Sequence, residues 1–170
     1  MRKFVFNLNS TAEYFKKKLL LNTLVFIVSI VVGMIFFHKE KIVINPTSQD
    51  FSSLLVNNTI VCLLIIVMGV LSFGFLGNFV LIANSVVLGR IIIGVFNLYG
   101  IVPLLHYIAP HFIFEISALL IATAISQETN KFFYNFRHQD IKIIRIKYNL
   151  IAYITMFVLL VIAALIESNL

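Results

Sequence analysis

The chain has 170 residues, 61% of them apolar and 12% charged, with a mean hydropathy of +1.03; soluble domains carry about twice that charge, so a water-soluble fold is excluded. A net charge of +6 would point to nucleic acid in a soluble protein, but in so apolar a chain it is the placing of the charges along the sequence that matters, and no nucleic-acid partner is expected. The single cysteine, Cys62, excludes an internal disulfide and a multi-cysteine metal site, and its apolar surroundings make it a small packing residue.

The predicted fold is an all-α integral membrane protein, a bundle of about five transmembrane helices in one domain over 1–170. The first apolar run, 19–37, is long enough to cross a hydrocarbon core of about 30 Å. Lys16, Lys17 and Lys18 precede it as in a signal peptide, yet bulky Met34-Ile35-Phe36-Phe37-His38 stands where small residues would be cleaved, so the run is read as an uncleaved anchor. A polar loop from His38 to about Ser53 follows, with turn signals at Asn45-Pro46 and Thr47-Ser48-Gln49-Asp50. Spans at 57–75 and 78–97 leave only Leu76 and Gly77 for a hairpin. Between 97 and 110, Gly100, Pro103 and Pro110 interrupt an apolar stretch, which predicts a re-entrant or broken segment. The fourth span, 110–127, has proline in its first turn; a basic segment, 128–147, leads to the fifth, 148–166.

The positive-inside rule gives an orientation. With the N-terminus inside, the cytoplasmic side collects Arg2, Lys3, Lys16, Lys17, Lys18, Lys131, Arg137, Lys142, Arg145 and Lys147, against Lys39 and Lys41 outside. The basic segment mixes these cations with Phe132, Phe133, Tyr134 and Phe136, a composition suited to the lipids of an anionic leaflet or to docking another subunit.

Charged groups inside spans cost about 2.5–3.5 kcal/mol each on insertion scales and call for partners. Arg90 and Glu115 are two such groups at matching depth, which predicts an intramembrane ion pair. His111, Glu115, Ala118 and Ala122 share one helix face, and Ala83, Val87, Arg90, Gly94 and Asn97 form a stripe on the third span, so the two faces are expected to meet. His111 and Glu115, one turn apart, are also candidates for acid/base catalysis, and with His106 for a site holding zinc or another divalent metal. Asn22, Asn57, Asn58, Asn78 and Asn84 read as cross-helix hydrogen-bonding groups, and Gly69, Gly74, Gly77 and Gly89 as close-packing positions.

Asn57-Asn58, then Gly69 and Gly74, then Asn84 with Gly89, then PHFIFEISA over 110–118, resemble in order and spacing the stage II sporulation protein M family across about 57–124. Ser85 and Phe112 depart from it, each standing where the family pattern has glycine. The resemblance implies a multi-pass protein of a bacterial cell membrane that works in a complex. Family members act in engulfment during sporulation, and small relatives sit in circular-bacteriocin gene clusters beside ATP-binding-cassette ATPases.

Two function classes follow. One is a membrane subunit of a peptide maturation and export complex of circular-bacteriocin or sporulation type, binding a hydrophobic peptide or partner helices. The other is an intramembrane peptidase or peptide ligase using Glu115 and His111, with or without metal. A bacteriocin immunity protein is a further alternative. No phosphate-binding glycine loop is present, so ATP hydrolysis is not expected of this chain.

Overall fold

The structure is a computed structural model that describes residues 8–43, 50–137 and 144–169. Arg2, Lys3, Lys142, the turn residues 45–49 and the side chains of Phe132, Phe133 and Phe136 lie outside the described residues. Every regular element among the described residues is helical: α1 (Leu8–Phe36), α2 (Phe51–Leu71), α3 (Phe75–Tyr99), α4 (Ile101–Pro103), a π-helical turn (Leu104–Ile108), α5 (Ala109–Ser126), a 3-10 turn (Gln127–Thr129), α6 (Asn130–Arg137) and α7 (Ile146–Glu167). Five of these, α1, α2, α3, α5 with its 3-10 extension, and α7, are long and apolar enough to cross a membrane. The span count from sequence and the all-helical class are thus both found.

Three boundaries differ from the sequence expectation. The first span continues as helix back to Leu8, so Lys16, Lys17 and Lys18 sit on the helix itself, not ahead of it. The hairpin between α2 and α3 is built from Ser72, Phe73 and Gly74, not from Leu76 and Gly77. Phe73 and Gly74 take φ of 54° and 96°, the left-handed conformation that ends helices, and Ser72 Oγ accepts the Leu76 N–H at 2.7 Å to start α3. Third, the 97–110 segment is broken only at Gly100, where φ is 79°. Beyond it the chain is helical again, and the π-helical turn at Leu104–Ile108 precedes Pro110, a local rewinding of the kind that accommodates the missing proline N–H.

The bundle is organised around α5, which touches all four other spans, with its most extensive contacts to α7 and α2, while α1 packs mainly on α3. The reason lies in residue size. Ala118, Ala122, Ala124 and Ser126 are fully buried, and side chains this small let neighbouring backbones approach. Ala118 and Ala122 meet Cys62 and Ile65 of α2 and Met156 and Leu160 of α7 in the main core cluster. Lower on the same helix, Ala124 packs with Phe15 and Ala152.

Glycines complete the fit on the facing helices. A Cβ at Gly69 would overlap the Ser126 side chain, and one at Gly77 would lie 2.6 Å from Ser126 Oγ and 2.9 Å from the Ile65 carbonyl oxygen. Ser126 is therefore wedged between α2 and α3. On the other side of α3, added Cβ atoms at Gly33 and Gly89 would strike the carbonyls of Val86 and Ile30, so α1 and α3 cross backbone to backbone.

These contacts separate two kinds of overpacking, each costing about 1–3 kcal/mol. Gly69→Ala is expected to lower the unfolding temperature in detergent much less when introduced into a Ser126→Gly chain, with a coupling above about 1 kcal/mol in the double-mutant cycle. Gly33→Ala should show no such relief, because a backbone carbonyl cannot be trimmed away.

Candidate functional site

Two polar clusters that join different spans lie towards the two ends of α5. At the end where α5 begins, Glu115 accepts a hydrogen bond from the Asn58 side-chain amide of α2. Asn58 lies one turn before the fully buried Cys62 on α2, and the two residues line the same cavity with Glu115. This cavity, of about 160 Å³, is lined mainly by α2, α3 and α5; Asn84 and Glu115 both border it, among apolar walls that include Phe26, Leu88, Phe112 and Leu119. The Asn84 amide donates back to the Val80 carbonyl at 2.8 Å, leaving its side-chain oxygen uncommitted among the described residues. A volume of this size is large enough to hold a few waters or a small organic group.

Several expected pairings are not made. Arg90 does not pair with Glu115; its Nε bonds Glu40, its guanidinium lies 5.3 Å from the Phe37 ring centroid, and Glu115 takes Asn58 instead. The cause is the segment following α1, which lies along α3. Ile42 packs on Gly94, the Ile42 N–H bonds the Gly94 carbonyl at 3.1 Å, and Asn97 donates to the carbonyls of His38 and Glu40 at 2.7 and 2.9 Å. The Arg90, Gly94 and Asn97 stripe is thereby covered by that segment, while the Ala118 and Ala122 face of α5 turns to α2 and α7.

The histidines are dispersed as well. His111 is buried, with Nε2 4.0 Å from a Glu167 carboxylate oxygen at the end of α7 and with Nδ1 lacking a hydrogen-bond partner. His106 is exposed on the π-helical turn. No three His, Cys, Asp or Glu side chains come together in a metal-holding group among the described residues, so His106, His111 and Glu115 do not form the ligand set the sequence allowed. Asn57 is exposed, whereas Asn58 faces inward. Gly89 lies where α3 meets the backbone of α1 at Ile30.

The other end of α5 holds the cluster that sequence reading missed. Glu128 is 3% exposed and receives Lys18 Nζ of α1, Lys131 Nζ at 2.8 Å and the Tyr14 hydroxyl at 2.5 Å. Beside it, the Gln127 amide donates to Asn22 Oδ1 at 2.7 Å and Asn78 Oδ1 at 2.8 Å, tying α1, α3 and α5 together. The Tyr14 ring lies under Lys131 Nζ at 4.5 Å and near the Arg145 guanidinium at 5.9 Å, attractive placements for a cation over an aromatic face. Burial works to lower the Lys131 pKa, but the hydrogen bonds to Glu128 and Tyr14 outweigh it and the value is raised. The signal in the sequence is the polar run Ser126-Gln127-Glu128-Thr129, with Lys131 three residues past Glu128.

The family model of stage II sporulation protein M matches residues 22–170, from within α1 onwards. No curated protein and no solved structure gives a significant match.

Removing the charge of buried Glu128 leaves the partly buried ammonium groups of Lys18 and Lys131 without their counter-ion, a loss of up to about 3 kcal/mol. Glu128→Gln is expected to lower the unfolding temperature in detergent sharply, while Glu13→Gln, in an exposed pair with Lys16, should change it little. Because the folded-state pKa of Lys131 is raised, its contribution is complete below the ordinary lysine range and is lost as pH climbs through the raised value. Lys131→Gln should therefore flatten the alkaline fall in stability; an unchanged alkaline limb would disprove that role.

Proposed function

The chain belongs to the stage II sporulation protein M family, and from that membership we propose that it works as a non-catalytic membrane subunit of a peptide maturation and export complex, of circular-bacteriocin or sporulation type. In this reading the Glu115 cavity receives a polar group of a hydrophobic peptide or of a partner helix. The observation that carries it is the pairing of Glu115 with Asn58 in an otherwise apolar cavity that also presents Asn84. An apolar helix or peptide contributes dispersion contacts to such walls, and one correctly placed donor fixes its register.

Binding is favoured over peptide hydrolysis by what surrounds the carboxylate. Glu115 is bonded to an amide, and the carboxylate recorded against His111 is that of Glu167; neither a histidine–carboxylate pair at Glu115 nor a metal ligand set is assembled among the described residues. An ATP-binding-cassette ATPase belongs to this reading as the partner that would supply energy to the complex, and the bacterial cell membrane as its location.

A photoreactive residue replacing Leu88, on the cavity wall, is expected to cross-link to a polypeptide in membranes of the producing cell. The same residue at Leu24, which is 62% exposed on the outer face of α1, should give lipid adducts. Asn58→Leu, which removes the donor to Glu115, should reduce the polypeptide adduct at least about threefold without changing the amount of protein. Lipid adducts alone at Leu88 would overturn the proposal. Peptide cleavage by the purified chain, abolished in Glu115→Gln, would transfer the site to the peptidase reading.

A further inference from the structure

The Glu128 cluster forms one wall of a groove of about 560 Å³ beside the second to fourth turns of α1. Its lining includes four ammonium groups, Lys16, Lys17, Lys18 and Lys131, and two carboxylates, Glu13 and Glu128. The carboxylates are already engaged: Glu13 with Lys16, and Glu128 with Lys18, Lys131 and Tyr14. Lys17, exposed on the same face, has no ion-pair or hydrogen-bond partner among the described residues. The lining is thus cationic in balance, with the Tyr14 hydroxyl among its polar groups, and its ammonium groups are positioned by a buried carboxylate instead of being left to sweep through solvent.

What lies beneath the groove identifies the class of ligand. Leu20, which lines its lower rim, begins a strip on the same face of α1 as Lys17: Leu20, Leu21, Leu24 and Val28 are 66%, 58%, 62% and 55% exposed. These positions follow Lys17 at helical spacing, so a cationic head site and an outward apolar track are aligned along one helix face. A soluble anion would use only the first. An amphiphile carrying a phosphate at the depth of the lysines and acyl chains below it would use both, and lysines at the start of an apolar helix lie at head-group level.

We propose that this groove is a head-group site for an anionic phospholipid, its phosphate held by Lys17 together with the lysines fixed at Glu128, and its acyl chains lying on the Leu20 to Val28 strip of α1.

The test uses the full chain, delipidated in detergent and titrated with phosphatidylglycerol or phosphatidylcholine, with bound lipid counted by native mass spectrometry. Phosphatidylglycerol should be retained at least about fivefold more strongly, as one additional cation contact at a membrane surface implies. Lys17→Gln, an exposed change that leaves the Glu128 cluster intact, should remove about that factor. Lys39→Gln, exposed at the opposite end of the bundle, should remove none. A large excess of inorganic phosphate should fail to displace the lipid. Equal retention of the two lipids, an equal loss in Lys39→Gln, or displacement by inorganic phosphate would each overturn the proposal, the last by reassigning the groove to a free anion.

Discussion

The constraint on which the structure depends is the smallness of α5 where it passes through the middle of the bundle. Between helices in a membrane there is no hydrophobic driving force to exploit, because lipid tails are as apolar as leucine; association rests on close packing and on polar contacts. Both need short distances. Ser126 fits between Gly69 and Gly77, and the alanines above it admit α2 and α7. Without that approach Gln127 could not reach Asn22 and Asn78 at once, nor could Lys18 of α1 reach Glu128.

The two interhelical carboxylate sites consequently stand towards the two ends of one helix, and they differ in kind. At Glu128 a carboxylate is answered by two ammonium groups and a hydroxyl from α1 and from the start of α6, which compensates the cost of burying it. At Glu115 a carboxylate is answered by one amide and borders empty volume. The first arrangement is saturated and holds helices in register. The second carries a single side-chain hydrogen bond among the described residues, and its half-buried carboxylate borders a cavity where an incoming donor can reach it.

The class, the span count and the close-packing glycines were legible because they follow from local quantities: run length, hydropathy and residue size. Glu115 and Asn58 were legible as polar groups in apolar runs, but not as each other's partner. Arg90 seemed matched to Glu115 by depth alone, and depth says nothing about the angular position of helices or about a connecting segment folding back along α3 to bring Glu40. The hairpin lies three to four residues earlier than the sequence suggests, for a related reason. Gly77 has the composition of a turn residue, yet it serves the contact with Ser126, while Phe73, a poor candidate for φ of 54°, takes the turn. The Glu128 cluster escaped notice because a carboxylate among lysines at the edge of a span looks like solvated surface, and only the convergence of α1 on α5 reveals that it is buried.

That convergence also alters the meaning of the cationic flank of α1. As a count of charges, Lys16, Lys17 and Lys18 report only which side of a membrane they prefer. As a helical surface they are distinct: Lys18 turns inward to a buried carboxylate, Lys16 pairs along its own helix with Glu13, and Lys17 points along the same face as the outward leucines. The three consecutive residues sit about 100° apart around the axis, so one tripeptide at the edge of an apolar run supplies a structural anchor, a neutralised surface group and a cation unpaired among the described residues. Charge composition and charge geometry thus carry different information here, and only the second relates the end of the first span to the packing of the fourth.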